Sequence, residues 1–458
     1  MGFLKVPSRR VKFWSNLAYA YIARYRFWAL GIFTAVLVLT LAISEVWPVL
    51  FRNNVLAIGY VGSYKIGNIP SSVLNLATQS LIVADTSGRP QPQLASHWTV
   101  SQDGKTYIVF LKENLEWHDG TKLNAKDISI AISNVDITAV NNKTIEFKLP
   151  NPISSFPLAL DKPIFKTKSF YGTGEFRITD IDEVDNIVKK ISLVSKDKRK
   201  PKVDIKFYQS EEQAREALRI GEIKSASVSD SKIFEHWKNL DVQKNEEESE
   251  IVTIFYNTQD PLLSSKDFRQ ALSFAINRFE FEGKIATGPI SPSSWANNES
   301  VKKYEYNTSK AKELLERSES KNPKLTLSVT AGLEKLAESI KKDWQSIGIE
   351  VELKFEKNIP ASYQALLAVN KLTPDPDQYS LWHSSQTETN ITKLKDVKID
   401  KLLEDARNTT DEGKRKELYF DFQKFLTEDA PATFLYHPYK YNVTYKNAKD
   451  LIEKLPKF

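Results

Sequence analysis

Residues 27–44, FWALGIFTAVLVLTLAIS, run for eighteen positions without a charge. As a helix this stretch spans about 27 Å, close to the hydrocarbon thickness of a bilayer. Trp28 and Trp47 stand near its two ends, where amphipathic rings favour the membrane–water interface. Residues 1–26 hold Lys5, Arg9, Arg10, Lys12, Arg24 and Arg26 and no acidic residue. This asymmetry predicts a basic cytoplasmic tail at 1–26, a transmembrane anchor at 27–47, and residues 48–458 facing outward from the cell membrane. A cleaved signal peptide is the alternative. Ala42-Ile43-Ser44 followed by Glu45, Val46 and Trp47 makes a poor cleavage site for it.

The net charge of +6 at pH 7 resides in that tail. Setting the six tail cations aside leaves 58 basic residues against 58 acidic ones. A neutral body argues against a nucleic-acid partner, which needs a basic patch on the folded part. There is no cysteine, which excludes disulfides, thiolate metal sites and cysteine nucleophiles and fits an extracytoplasmic compartment. A chain of 458 residues exceeds what one core usually covers, so two or three lobes are expected.

Periodicity sketches the outward part. VLAIGY at 55–60 reads as a first strand, and 76–170 as short strands and turns. Asp103-Gly104 between two alternating runs marks a hairpin. Ile145, Phe147 and Leu149 alternate in a further strand. At 324–330 a strand pattern is followed by Leu333, Leu336, Ala337, Ile340 and Trp344 at helical spacing, then Gly348, then alternation again. That is a strand–helix–strand unit with a right-handed crossover. A similar unit lies at 203–228. Ser264 and Asp267 form a capping-box pair before Phe268, and two amphipathic helices fall at about 397–408 and 412–427. The class is α/β with a β-rich insertion.

Catalytic signatures are missing. There is no G-x-S-x-G, H-E-x-x-H, phosphate-binding G-x-x-x-x-G-K or dinucleotide G-x-G-x-x-G. The five histidines are scattered and none forms an i,i+4 pair for a metal. No enzyme, metal or cofactor is expected. The stretch 375-DPDQYSLWHSSQTETN-390 is the chemically richest, with two carboxylates, three rings and small polar residues.

Six segments in order carry a resemblance. They are QPQLASHWTVSQDGKTYIVFLKENLEWHDGTKLNAKDI at 91–128, GTGEF at 172–176, IFYNTQDPLLSSKDFRQALSFAINR at 254–278, YEYNTSKAKELLE at 304–316, DPDQYSLWHSSQ, and EDAPATFLYHP at 428–438. Together they resemble family 5 extracytoplasmic solute-binding proteins, the peptide- and nickel-binding receptors of ABC importers. The resemblance implies a two-lobed periplasmic-binding-protein-like fold with a β-rich accessory subdomain, closing by a hinge over a solute. The first lobe would be 55–255 with the accessory subdomain at 76–170. The second lobe would be 256–430, with a C-terminal return to the first lobe at 431–458.

The resemblance further implies that 370–390 lines the cleft. Trp382 and Tyr379 would be flat walls, Asp375 or Asp377 would meet a cationic group, and His383 and Asn390 would donate hydrogen bonds. Asn257, after the predicted strand at the lobe crossing, and Tyr60, ending the first strand, would face the same cleft. The alternative reading of the stretch is structural, with Trp382 and Tyr379 as core, Asp377 capping a turn and His383 held in a loop. Peptide-binding relatives place an aspartate a few residues before DPD to hold the peptide amino group; here Asn370 stands near that place. The expected function is capture of a small solute, foremost an oligopeptide, by a monomeric receptor that delivers it to ABC permease subunits. An anchored sensor or chaperone-like module using the same cleft is the alternative, with a hydrolase more distant.

Overall fold

A computed structural model describes residues 9–25, 28, 34, 36 and 55–456. The chain divides into two units at Val55/Leu56. In the first, helix Arg9–Arg24 has no acid in its first turn and Arg24 in its last. Among the described residues no helix is long and apolar enough to cross a membrane. The anchor predicted at 27–47 lies outside the described residues, apart from Trp28, Thr34 and Val36.

The second unit is built on one continuous sheet. Its order is Glu350–Glu356, Lys324–Thr330, Ala365–Lys371, Glu250–Tyr256, Ala432–Tyr445, Ser225–Val228, Val55–Val61, Lys202–Tyr208, Ile187–Ser195 and Phe176–Val184. The 14-residue strand Ala432–Tyr445 joins the two halves. Its beginning pairs with Glu250–Tyr256 (Phe255 opposite Ala432), and its end pairs with Ser225–Val228 (Ala226 opposite Val443). Leu240–Glu246 also pairs with that end, so two neighbouring antiparallel segments cross between the halves side by side.

The strand EIVTIFY shows why the second half folds as it does. Its apolar run is covered on both faces. Val252, Ile254 and Tyr256 pack with Phe268, Ile340 and Trp344, while Ile251 and Phe255 pack with Trp382, Phe422 and Leu426. The predicted strand–helix–strand unit is present. Lys324–Thr330 and Glu350–Glu356 pair in parallel around helix Glu334–Ser346, and Gly348 at φ +95° makes the turn out of it. At 202–228 the two strands flank Val55–Val61 instead of pairing with each other. The helix Lys266–Phe274 is capped by Ser265, one residue later than expected. Ser265 Oγ accepts from Phe268 N, whereas Ser264 Oγ donates to the Pro261 carbonyl.

The β-rich insertion is a separate four-stranded antiparallel sheet, ordered Ala95–Val100, Thr106–Leu111, Thr144–Lys148, Asp136–Asn141. The Asp103-Gly104 hairpin is there, with Gly104 at φ +69°. Its own core includes Trp117, Phe147 and Phe156. His118 ties the insertion to the first half, with Nε2 at 2.8 Å from Gly174 O and Nδ1 accepting from Gly172 N.

Candidate functional site

The strand Ala365–Lys371 runs antiparallel to Glu250–Tyr256 and delivers the chain to Pro374. The DPD turn then folds on itself. Asp375 Oδ1 accepts from Asp377 N at 2.9 Å, and Asp377 Oδ1 accepts from Tyr379 N at 3.0 Å. These contacts place both carboxylates under helices Val397–Asn408 and Glu412–Asp429, each of which supplies an arginine. Arg415 Nη2 meets Asp375 at 3.1 Å, and Arg407 Nη2 meets Asp377 at 2.9 Å. Burial pushes the Asp375 carboxyl up, against the pull of Arg415.

Residues from the 85–89 loop and from 154–155 pack over this turn. Ser155 Oγ donates to Asp377 Oδ2 at 3.0 Å. Ser154 N donates to Arg407 O at 2.8 Å, and Ser154 Oγ to Ala406 O at 3.1 Å. Nearby, Trp295 N donates to Ser87 O at 3.0 Å, and Arg89 pairs with Glu412 at 2.9 Å. Gly88, at φ +84°, lies so near Pro374 that a Cβ would strike the Pro374 carbonyl oxygen. Only glycine fits both conditions. Asp85 organises the same loop. Burial works to raise its carboxyl, but hydrogen bonds from Arg89 N, Ser87 and Gln91 outweigh that and hold it at about 2.

The eight predicted site residues separate on this geometry. Asp375 and Asp377 are together, but each is already matched by an arginine. Tyr379 stacks on His383 at 4.0 Å, with the Arg407 guanidinium 4.0 Å from its ring. Trp382 is 1 % exposed and covered by Phe255 and Phe434, the arrangement of the structural alternative. Its Nε1 donates to Gln378 Oε1 at 3.2 Å. Asn390 is buried and spends its amide on the carbonyls of Trp382, His383 and Leu394, and its Oδ1 on Thr392 and Leu394. Asn257 caps its own loop, donating to Tyr363 O at 3.1 Å and accepting from Gln259 N. Tyr60 packs near Phe207 in the other half, where burial raises its hydroxyl pKa against a hydrogen bond to Ser72.

His383 shows a contact that invites a catalytic reading. Its Nδ1 lies 2.8 Å from Ser385 Oγ and its Nε2 3.3 Å from Glu404 Oε1. The same Nδ1 also accepts from Ser385 N at 3.1 Å. One lone pair is thus shared by the backbone and hydroxyl of a single turn, which is a loop-fastening arrangement.

Sequence reasoning missed Arg407, Arg415, Ser155 and the 85–89 loop. Arg415 had a signal. It falls on the buried stripe of its helix with Tyr419, Phe422, Gln423 and Leu426, and a cation on a buried stripe needs a carboxylate.

Residues 89–135 and 129–392 match the family model described as bacterial extracellular solute-binding proteins, family 5 middle. The oligopeptide-binding protein AppA of Bacillus subtilis is 25 % identical over 452 residues, covering 82 % of this chain and 83 % of the relative. The dipeptide-binding protein of Escherichia coli is 22 % identical, covering 79 % and 83 %. Among solved structures, the ABC transporter substrate-binding protein CtaP from Listeria monocytogenes superposes with a TM-score of 0.73 at 23 % identity, covering 85 % of this chain and 94 % of that one. NikZ from Campylobacter jejuni, in complex with Ni(L-His), superposes with a TM-score of 0.70 at 23 % identity, covering 86 % and 94 %.

Proposed function

The chain belongs to the family 5 extracellular solute-binding proteins of ABC importers, binding receptors and not enzymes, and from that premise we propose that it captures an oligopeptide by hinge closure and hands it to an importer permease. The observation that carries this reading is the seam itself. Ser154 and Ser155 on one side meet Ala406, Arg407 and Asp377 on the other through three hydrogen bonds, while side-by-side strands connect the halves behind. A seam of small polar contacts opens at low cost, because each contact contributes only about 1 kcal/mol net. The peptide class rests on the relatives, whose names include an oligopeptide- and a dipeptide-binding protein.

The charge pairing refines the solute. Asp375 and Asp377 are neutralised by Arg415 and Arg407, so the peptide amino group is not held by them. Anchoring through 27–47, with the bulk of the chain outside the cell, belongs to the same proposal. Its support is the uncharged run behind six cations. Equilibrium dialysis of the full-length chain against a defined tri- to pentapeptide library, read by mass spectrometry, tests the function. Retention of a subset at one peptide per chain is expected, and retention of none overturns it.

A further inference from the structure

A cavity of about 340 Å³ opens beside strand Ala432–Tyr445 and is lined by none of the seam residues. Its wall carries Phe279, Ile285, Ala432 and Phe434, with Arg278 among them. Three arginines are buried among the described residues: Arg269, Arg278 and Arg415. Arg269 is matched by Asp429 and Arg415 by Asp375. Arg278, only 8 % exposed, pairs with no carboxylate among the described side chains. Its Nη1 donates to the Tyr304 carbonyl, and its Nε has no partner. Burial lowers its pKa to about 10, opposed by the hydroxyls of Tyr256 and Tyr304, so it remains a cation at neutral pH.

A buried cation without an anion is unfavourable unless something supplies the charge. Much of the remaining wall is apolar, Lys302 lines it but is already paired with Glu428 at 3.1 Å, and Phe279 stands 82 % exposed at the rim, unusual for a phenylalanine. Lys303 and Glu305, both exposed and of opposite charge, also line the cavity. The volume lies in the range of small-ligand pockets.

We propose that this cavity binds an amphipathic monoanion, with one carboxylate against Arg278 and an apolar chain or ring along Phe279, Ile285 and Phe434. It is an accessory site, separate from the seam and independent of what the seam binds. A carboxylate there forms a charge-assisted pair with a guanidinium that has already lost its water, which favours anion over neutral isostere.

Calorimetric titration of the full-length chain with octanoate, and with octanamide as the uncharged isostere, tests the proposal. One octanoate per chain is expected, with octanamide at least roughly tenfold weaker. Arg278→Met should erase that preference. Because Arg278 is buried and its variant can fail to fold, Ile285→Glu provides a second test. Ile285 is partly exposed, and a carboxylate there should weaken octanoate roughly tenfold while leaving the thermal melt and the peptide retained at the seam unchanged. Absence of saturable octanoate binding, equal affinity for octanamide, or indifference to Ile285→Glu would each overturn it. Failure of the seam to bind peptide would leave these outcomes unaffected, so the two readings are tested separately.

Discussion

Arg415 meets Asp375 at 3.1 Å with both side chains almost wholly buried. The pair fixes the DPD turn to helix Glu412–Asp429 and removes Asp375 from the set of carboxylates open to a solute.

Arg415→Met therefore strands a buried carboxylate and should destabilise the protein by about 3–5 kcal/mol. The double variant Asp375→Asn/Arg415→Met should lose much less. The loss in the single variant should depend on pH. Burial already holds the folded Asp375 carboxyl above its ordinary 3.8, and removing Arg415 removes the first opposing cause. A group whose folded pKa is raised contributes stability below its unfolded pKa that is lost as pH rises. The single variant should accordingly be least impaired in acid, checked by urea unfolding across pH.

Trp382→Ala should lower stability by about 3–5 kcal/mol and leave affinity per folded molecule unchanged. A thermal melt with a titration on the same protein checks both. This residue also marks the limit of what the sequence shows. Ser384, Ser385 and Gln386 suggest a tryptophan with no local cover, but its cover comes from Phe255 and Phe434, more than a hundred and about fifty positions away. Strands, the Asp103-Gly104 hairpin and the Gly348 crossover were legible because they are written in local period and turn chemistry. The pairing of Asp375 with Arg415 was not, since it depends on two helices folding back over the turn.

Gly88→Ala should open the seam. It adds a Cβ against the Pro374 carbonyl oxygen at a positive φ. Faster hydrogen exchange at 152–155 and 85–89, with little change elsewhere in the second lobe, is the expected result. Arg407→Ala should act in the same direction by releasing Asp377.

His437 is 1 % exposed with Nδ1 2.9 Å from Glu250 O, and burial lowers its pKa below 6.5. The unfolded chain then takes up the proton first as pH falls, so this histidine's contribution is present above about pH 6.5 and lost in acid. The slope is at most about 1.4 kcal/mol per pH unit. His437→Gln should flatten the stability profile between pH 5 and 7, as read by denaturant midpoints.

The central claim is closure of the seam around a solute, and a distance across it tests that most directly. The chain has no cysteine, so Val140→Cys/Val397→Cys places one label on the accessory sheet and one on helix Val397–Asn408, both at exposed positions. In the full-length protein, single-molecule energy transfer should show a broad or divided distance distribution without peptide. Saturation with the retained peptide should collapse it to the shorter distance. One unchanged distribution with and without bound peptide would contradict the account.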